Sequence, residues 1–400
     1  MTLSEELQWR GFVNQTTLTD IKELDRKKFK LYFGVDPTSD SMQVGNLAAA
    51  MMVRCFHKHG HDVTLLVGGA TGMIGDPSGK DAERNLLTPG QVVKNKQGIV
   101  SQYKQIFKGE KFRIVDNYDW FKTINYLDFL RDVGKYFSLT PLLQRDYIAA
   151  RIGASGNGMS YAEFSYTLIQ GYDYYHLHQT YGTNLQVCGS DQWGNSLSGV
   201  ELIRRKTGEE VHVYSVPLVI NKTTGKKFGK SEDGAIWLDP KKTTPSDFYQ
   251  FWINVDDDSV GDYLKVFTEL DKEQIASVMT KFKQDKSGRL AQKTLAYEVT
   301  NLAHGRKAAD DATTHAGALG QSSQILSGQV AVGDNIIDAL VKYGLASSKT
   351  EARQIMEAGG IYINNEQTVK TEFEASDFRD SRVMVRRGKA LKNTIVLGQR

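Results

Sequence analysis

Short apolar runs alternate with longer amphipathic stretches over the first half of this 400-residue chain. The apolar runs that predict buried strands are residues 30–35, 61–67, 111–115, 185–188 and 211–215. Stretches with helical character separate these runs, and one of them, 46–58, ends at Gly60. This β-α-β-α order predicts an α/β fold with a parallel sheet. Ligands of such sheets bind at the carboxyl ends of the strands.

Beyond the last predicted strand the pattern becomes helical, from Thr244 to about residue 319. A segment rich in Gly, Ser and Gln follows, which is typical of a linker. We expect a helical arm over residues 1–30 at the start of the first domain. The predicted domains are a sheet domain over 1–220, a mobile loop and connection over 221–243, a helical domain over 244–319, a linker over 320–330 and a small unit over 331–400.

The composition is that of an ordinary soluble globular protein, with 40% hydrophobic residues, 24% charged residues and a net charge of +3. This mild charge neither requires nor excludes a nucleic-acid partner. Cys55 and Cys188 lie far apart without metal-ligand partners nearby, which predicts reduced thiols in a cytoplasmic protein. The first eleven residues lack the long apolar core of a signal peptide. The longest apolar run, 47–53, is too short to cross a membrane, so no membrane association is expected.

Residues 36–46, Asp-Pro-Thr-Ser-Asp-Ser-Met-Gln-Val-Gly-Asn, follow the first predicted strand and open a helix. Thr38 is expected in the turn, and Gln43 and Asn46 at the helix start. The free backbone N–H groups and the helix dipole favour an anion there. Gly45 lets a purine or a phosphate come close to the backbone. An ordinary capped turn is the alternative interpretation of this segment.

Two other loops are candidates for phosphate or substrate. Residues 68–80 are rich in glycine but match neither the P-loop nor the dinucleotide fingerprint. Asp76 is the one acid among them and suits a substrate ammonium, while Lys80 and Arg84 suit a leaving pyrophosphate; a tight turn followed by solvated charges is the alternative. Residues 227–231, Lys-Phe-Gly-Lys-Ser, lie in a lysine-rich loop. Its charges repel one another, so the loop is expected to stay mobile until an anion binds. A surface hairpin turn is the alternative.

A fourth segment, Gly-Ser-Asp-Gln-Trp-Gly-Asn at 189–195, also follows a predicted strand and opens a helix. Its polar groups suit a ribose and an amino acid, whereas the segments at 36–46 and 227–231 suit phosphate. Together these segments predict a site that activates a carboxylate with ATP. No side-chain nucleophile is evident, and no metal-ligand cluster is predicted.

These four segments, in their order along the chain, resemble those of class I aminoacyl-tRNA synthetases, specifically the bacterial-type tyrosyl-tRNA synthetase family. Residues 36–46 resemble the HIGH-type element of that family, and 227–231 resemble its KMSKS-type loop. The resemblance runs through nearly the whole chain. It implies an α/β fold with a Rossmann-like parallel-sheet catalytic domain, followed by an α-helical domain and a small C-terminal S4-like α+β RNA-binding domain.

One departure from the family concerns the triphosphate site. The family usually has His where this chain has Gln43, which donates a neutral hydrogen bond but offers no positive charge. Asn46 in place of a second His is a milder change. The resemblance implies that the residues that bind the triphosphate and act in catalysis are Thr38, Gln43, Asn46, Lys80, Arg84, Lys227 and Lys230. It implies ATP contacts from Gly34, Asp36, Gly45, Gly189, Asp191, Phe228, Gly229 and Ser231.

Selection of tyrosine requires a buried polar pair that loses its partners when the hydroxyl is missing. Tyr32 and Asp173 are the candidates. Asp173 lies in a stretch where Tyr166, Gln170 and Asp173 fall at i, i+4 and i+7, on one helix face. The alternative is a core helix rich in tyrosine. The resemblance implies that Tyr166, Gln170 and Asp76 hold the α-ammonium and that Gln192 lies near the carboxylate.

The last 70 residues predict two helices followed by a strand and a hairpin, an order that resembles the S4-type RNA-binding module. Residues 381–400 contain six Lys or Arg and no acid, which is typical of a phosphate-binding surface. Lys349 and Arg353 share a helix face, and Arg386 and Arg387 belong to the basic end. A basic, solvated tail on a structural domain is the alternative.

The expected function is that of a tyrosine–tRNA ligase, which uses ATP with Mg²⁺ as substrate and holds no prosthetic group. The implied partners are L-tyrosine, ATP and tRNA(Tyr), and the resemblance implies a homodimer. Two alternatives stay open: a tryptophanyl-tRNA synthetase of the same architecture, and a catalytically inactive RNA-binding protein derived from a synthetase. Gln43 is the only feature that favours the second alternative.

Overall fold

The computed structural model describes residues 1–78, 86–153, 156–219, 228, 230–231, 234–313, 328–364, 366–378, 382–388 and 394–400. The chain forms two compact units, one over residues 1–310 and one over residues 311–400. The predicted linker at 320–330 falls largely outside the described residues. In the part of the chain that the structure describes, no helix combines the length and apolar character needed to cross a bilayer.

A six-stranded sheet forms the centre of the first unit, in the order β1-β6-β5-β2-β3-β4. Its strands are β1 (Gln15–Thr16), β2 (Lys30–Val35), β3 (Asp62–Val67), β4 (Arg113–Asp116), β5 (Leu185–Gly189) and β6 (His212–Val216). Strands β2 to β6 pair in parallel, with Lys30 opposite Asp62 and Leu31 opposite Leu185. The parallel sheet predicted from the apolar runs is therefore confirmed.

The chain start differs from the helical arm expected over residues 1–30. Two short helices, α1 (Leu3–Arg10) and α2 (Glu23–Arg26), flank β1 there. β1 pairs antiparallel with β6, so that Gln15 lies opposite Ser215. A two-residue strand has no detectable period in the sequence, and only the neighbouring strand stabilises it.

The helices that cover this sheet begin and end at local signals in the sequence. They are α3 (Val44–Lys58), α4 (Thr71–Ile74), α5 (Pro89–Ile106), α6 (Tyr118–Phe121), α7 (Tyr126–Asp132), α8 (Leu139–Leu143), α9 (Asp146–Ile152), α10 (Tyr161–Tyr181) and α11 (Trp193–Thr207). The longest, α10, begins at a capping box in which Ser160 accepts the Glu163 N–H, and it ends at Gly182 in the left-handed conformation.

Helices α12 (Pro245–Ile253), α13 (Val260–Phe267), α14 (Lys272–Gln284) and α15 (Leu290–His304) form the helical part predicted after Thr244, and α16 (306–313) follows them across the boundary between the units. Helices α12 to α15 belong to the first unit and do not form a unit of their own. The buried guanidinium of Arg10 donates to the carbonyl oxygens of Lys265 at 2.6 Å and Thr268 at 2.9 Å, and Arg54 pairs with Glu269 at 2.6 Å. These bonds tie α1 and α3 to the helical part.

The second unit has a sheet of five short strands in the order β11-β10-β12-β13-β9. Between Asp311 and Arg400 the described elements are β9 (Gly328–Val330), α17 (Ile336–Lys342), α18 (Lys349–Glu357), β10 (Ile361–Ile363), β11 (Glu366–Gln367), β12 (Arg382–Arg387) and β13 (Thr394–Gln399). The helices and the β10–β11 hairpin match the predicted order. Leu340, Ile361, Val383 and Leu397, each at most 1% exposed, lie in its core.

Candidate active site

One cavity of about 340 Å³ opens at the carboxyl ends of β2 and β5, beside the starts of α3 and α11 and one face of α10. The predicted site residues among its lining are Tyr32, Gly34, Asp36, Thr38, Gln43, Gly45, Asn46, Asp76, Tyr166, Gln170, Asp173, Gly189, Asp191, Gln192 and Phe228. Segments from five separate parts of the sequence thus meet in a single cleft. This is the edge of the sheet where strand order predicts a ligand site.

The closed end of the cavity is formed by Tyr32 and Asp173, which are 1% and 2% exposed. The Tyr32 hydroxyl has no hydrogen-bond partner among the described residues. The Asp173 carboxylate accepts from Asn117 Nδ2 at 3.0 Å and from Trp120 Nε1 at 2.9 Å. Burial raises the pKa of Asp173 well above its usual range, and these two donors act in the opposite direction. The pair therefore offers an unpaired hydroxyl and an oriented carboxyl group to a polar group at the end of an apolar ligand.

A second carboxylate, Asp36, lies in the middle of the cavity wall. It accepts from the Tyr166 hydroxyl at 2.8 Å and from Thr71 Oγ1 at 2.6 Å. Asn117 Nδ2 donates to Thr71 Oγ1 at 3.0 Å as well as to Asp173, so one amide connects the two buried carboxylates. Gly68 makes this approach possible, because a Cβ on it would lie 2.1 Å from Asp36 Oδ1.

Asp76 and Gln192 both line the cavity and are bonded to each other. Gln192 Nε2 donates to Asp76 Oδ2 at 2.7 Å, and the backbone N–H of Ser78 donates to Asp76 Oδ1 at 3.0 Å. Gln170 Oε1 also lines this cavity and is buried without a partner among the described residues. The carboxylates of Asp36 and Asp76 and the unpaired amide oxygen of Gln170 suit the cationic group of a ligand.

The mouth of the cavity is more exposed and lies at the start of α3. Gln43 precedes the first helical residue, and its N–H donates to Asn46 Oδ1 at 2.9 Å. The predicted helix start is therefore confirmed within two residues. Thr38 and Gly45 are exposed at this mouth. The site thus passes from a buried end to an open end at the start of α3, which suits an elongated ligand with a ring at its buried end.

The lysine-rich loop is described only in part. Phe228 is 6% exposed and packs on Tyr263 and Phe267, with ring centroids 4.4 Å and 5.5 Å away. Lys230 and Ser231 form β7 (Lys230–Ser231), which pairs antiparallel with β8 (Gly234–Ala235). The predicted residues Lys80, Arg84, Lys227 and Gly229 lie outside the described residues.

Several residues of this site were not predicted from the sequence. Thr71, Asn117, Trp120, Gln186 and Asn195 all line the cavity or bond to residues that do. One signal pointed to Asn117 and Trp120, because they directly follow β4 at the carboxyl edge of the sheet. Gln186 lies within β5, where a polar residue at 3% exposure is a candidate for ligand contact.

The predicted RNA-binding residues lie on α18 and β12 of the second unit. Arg353 is exposed, whereas Lys349 pairs with Asp338 at 2.7 Å on the surface. Arg387 pairs with Glu351 at 2.8 Å and also donates to the Leu345 carbonyl at 3.1 Å. Arg386 lies over the Tyr362 ring at 5.0 Å. Arg387 therefore holds β12 against α18. Among the four predicted RNA-binding residues, Arg353 is the one whose exposure best suits contact with a polyanion.

Comparison with known proteins agrees with this geometry. A family model described as "tRNA synthetases class I (W and Y)" matches residues 24–319, and a tyrosine–tRNA ligase C-terminal domain model matches 323–395. The tyrosine–tRNA ligase of Staphylococcus haemolyticus is 44% identical over 97% of both chains. Tyrosine–tRNA ligase 2 of Bacillus cereus is 41% identical over the full length of both. A truncated mitochondrial tyrosyl-tRNA synthetase of Aspergillus nidulans is 32% identical with a TM-score of 0.71, covering 80% of this chain and 94% of its own.

The sheet, the helix start at its edge and the cavity between them define a class I aminoacyl-tRNA synthetase. At this level of identity the chain belongs to the tyrosyl-tRNA synthetase family, and specifically to its bacterial type.

Proposed function

We propose that this protein activates L-tyrosine with ATP, giving tyrosyl-adenylate and pyrophosphate, and then transfers the tyrosyl group to the terminal adenosine of tRNA(Tyr). The observation that carries this proposal is the pair at the closed end of the cavity. Tyr32 and Asp173 present a hydroxyl and a carboxyl group at the buried end of the cavity. A phenol satisfies both groups, whereas a phenyl ring leaves them buried and unpaired.

The rest of tyrosine fits the remaining groups of the cavity. Its α-ammonium is placed among Asp76, Tyr166 and Gln170, all of which present oxygen atoms. Its carboxylate is placed beside Gln192, whose amide nitrogen keeps a second N–H after bonding to Asp76. The ribose of ATP lies against Gly189 and Asp191, and the adenine lies beside Gly34 and Gly45. The two substrates then share the cleft from its closed end to its mouth.

In this arrangement the tyrosine carboxylate attacks the α-phosphate of ATP in line, and pyrophosphate leaves. The protein provides no nucleophile of its own. Burial raises the pKa of Cys55 and of Cys188 to about 12, so neither is a thiolate near neutral pH. Catalysis consists of positioning and of stabilising charge that moves to the leaving group. Thr38 faces the triphosphate, together with Gln43 and Asn46 at the start of α3 and the lysine-rich loop.

The triphosphate enters as its Mg²⁺ complex, so the metal is part of the substrate. We place Lys80, Arg84, Lys227 and Lys230 on the β- and γ-phosphates, as the family resemblance implies. Gln43 donates a hydrogen bond there without a charge. The activity is placed in the cytoplasm, in line with the two unpaired cysteines.

Exchange of radiolabelled pyrophosphate into ATP, measured with each of the twenty amino acids, tests this function. Tyrosine alone is expected to support rapid exchange. Exchange with tryptophan in its place would identify a tryptophanyl enzyme. No exchange with any amino acid, in a protein that still binds tRNA, would favour an inactive RNA-binding derivative.

We also propose a homodimer that forms through residues 118–161. Seven of the fourteen large hydrophobic side chains described as exposed lie in this segment; they are Tyr118, Tyr126, Leu127, Leu139, Leu143, Ile152 and Tyr161. An apolar concentration of this kind on a water-soluble unit marks an interaction surface. Its continuity with α10, which carries part of the active site, suits an interface between two copies of the chain.

Leu127→Glu is expected to convert the dimer to a monomer, because Leu127 is 71% exposed and a buried carboxylate at an interface is costly. Light scattering coupled to size-exclusion chromatography measures the change. Val369→Glu in the second unit, also 71% exposed, is the matched control and is expected to leave the dimer intact. A monomeric wild type, or a dimeric Leu127→Glu variant, would contradict this interface.

The second unit is proposed to bind the backbone of tRNA(Tyr), with Arg353 as a phosphate contact. Arg353→Ala is then expected to reduce the slope of log affinity against log salt concentration by about one, while tyrosine-dependent pyrophosphate exchange stays unchanged. Filter binding of tRNA(Tyr) at several salt concentrations measures this slope. Lys370→Ala is the control, because Lys370 already pairs with Glu374 at 2.7 Å. Equal salt slopes in the wild type, Arg353→Ala and Lys370→Ala would contradict the assignment of Arg353 as a phosphate contact.

A further inference from the structure

The Gln192 amide is held by a neighbour one helical turn further along α11. Asn195 is 1% exposed, and its Nδ2 donates to Gln192 Oε1 at 3.3 Å and to Ser78 Oγ at 3.0 Å, with Asp76 Oδ1 at 3.4 Å. Gln192 Nε2 in turn donates to Asp76 Oδ2 at 2.7 Å. The two amides and the carboxylate therefore form a closed group of hydrogen bonds beside the cavity.

This group allows only one orientation of the Gln192 amide. With its oxygen and nitrogen exchanged, Gln192 would place an N–H₂ against the N–H₂ of Asn195 and a carbonyl oxygen against the Asp76 carboxylate. Both contacts are repulsive, which disfavours the exchanged orientation. The observed orientation directs the remaining N–H of Gln192 toward the cavity, which Gln192 lines.

The orientation of Asn195 is itself set from outside the cavity, by Tyr147 on α9. The Tyr147 hydroxyl donates to Asn195 Oδ1 at 2.7 Å. Burial raises the pKa of Tyr147, while the charge of the neighbouring Arg145 acts in the opposite direction. Because an amide oxygen accepts and cannot donate, the bond to Asn195 Oδ1 uses the Tyr147 proton.

Arg145 is anchored as well, since it donates to Ser198 Oγ at 2.7 Å and to Thr167 Oγ1. Ser198 and Thr167 belong to α11 and α10, so the guanidinium bridges the helix that directly follows Gln192 and the helix that carries Tyr166. Arg145 is close to Tyr147 in the chain, so this bridge also fixes where α9 and Tyr147 lie.

We propose that Tyr147 and Asn195 are positioning residues that orient the Gln192 amide as a donor to the carboxylate of the bound amino acid. This inference rests on the proposed function, because it takes tyrosine as the ligand. Asp76 depends on the group less than Gln192 does, since the backbone N–H of Ser78 already fixes one of its oxygens. The loss is therefore expected in recognition of the carboxylate and not of the ammonium.

Tyramine, which is tyrosine without its carboxylate, separates these two contributions. For Tyr147→Phe we expect affinity for L-tyrosine to fall about fivefold, the usual effect of one neutral hydrogen bond, with affinity for tyramine unchanged. For Asn195→Ala we expect a loss of about 20-fold for tyrosine, because the Gln192 amide loses its orienting donor, with tyramine again unchanged. Calorimetric titration of both ligands measures the effects, and the KM for tyrosine in pyrophosphate exchange should rise more than the KM for ATP.

Tyr297→Phe is the matched control. Tyr297 lies on α15, and the hydroxyl that this change removes donates to Asp310 at 2.9 Å. It should alter neither ligand's affinity. Equal weakening of tyrosine and tyramine in the Tyr147 and Asn195 variants would show a merely structural role and overturn the inference, as would no weakening of either. Tyr147→Phe deletes a single oxygen and keeps the ring, so it tests the inference even if Asn195→Ala does not fold. Wild-type protein that does not exchange pyrophosphate with tyrosine would instead refute the proposed function.

Discussion

Replacing Asp173 by asparagine will lower kcat/KM for tyrosine in pyrophosphate exchange by about 100-fold, corresponding to about 3 kcal/mol of transition-state binding. The carboxylate accepts from Asn117 and Trp120 and, in the proposed complex, from the phenol of the substrate. Asparagine has a donating amide nitrogen in place of one accepting oxygen, so one of these three donors would then face another donor. Asp173 is 2% exposed, so a polar group left unpaired beside it is costly.

The same substitution is expected to reduce the preference for tyrosine over phenylalanine, because the hydroxyl then gains less from the site. Pyrophosphate exchange with each amino acid measures both effects. Asp119→Asn provides the control, since the Asp119 side chain is 67% exposed and pairs with Lys122 at the surface at 3.0 Å. An Asp173→Asn protein with wild-type kcat/KM and wild-type preference would place the phenol elsewhere.

Replacing Arg151 by methionine will destabilise the first unit by about 3–5 kcal/mol. Arg151 and Glu163 form a two-point ion pair, with nitrogen–oxygen distances of 3.2 Å and 3.0 Å, and their side chains are 6% and 3% exposed. Removing the cation leaves a buried carboxylate without its counter-charge. Glu163 also accepts from the Ser160 N–H in the cap of α10, the helix that presents Tyr166, Gln170 and Asp173.

Urea unfolding followed by circular dichroism measures this loss, and a double-mutant cycle isolates the pair. Arg151→Met with Glu163→Gln is expected to cost less than the sum of the two single changes, because the double variant buries no unpaired charge. Arg204→Met is the control, since Arg204 pairs with Glu201 while 67% exposed and should cost less than 1 kcal/mol. An additive cycle would mean that the pair contributes no mutual stabilisation.

The parallel sheet and its ligand edge followed from the sequence because strands buried on both faces are short continuous apolar runs. The predicted runs at 30–35, 61–67 and 185–188 coincide with β2, β3 and β5 to within a residue at each end. The helical character of the region after Thr244 could also be predicted. Pro245 occupies the first helical position and the apolar residues recur with a helical period, and both signals are local in the sequence.

The residues that line the candidate site were predictable to a large extent, whereas the residues that hydrogen-bond to them were not. Tyr32 and Asp173 were identified by residue type, by helical spacing and by family resemblance, and the structure brings them to one cavity. Asn117, Trp120 and Asn195 were missed because each bonds to residues 46 or more positions away, except for the local bond from Asn195 to Gln192. Hydrogen bonds between distant residues have no period or motif in a sequence.

The sequence by itself determined the order of strands and helices, the four polar segments at strand ends and the family to which they belong, because these depend on local periodicity and on short motifs. Only the tertiary structure decided that α1 and α3 are fastened to the helical part, that β1 joins the sheet, and that Tyr147 reaches Asn195 from a neighbouring helix. Such contacts depend on which side chains meet after the chain has folded. The energies of these contacts depend on how deeply the side chains are buried, and the type of a residue does not determine its burial.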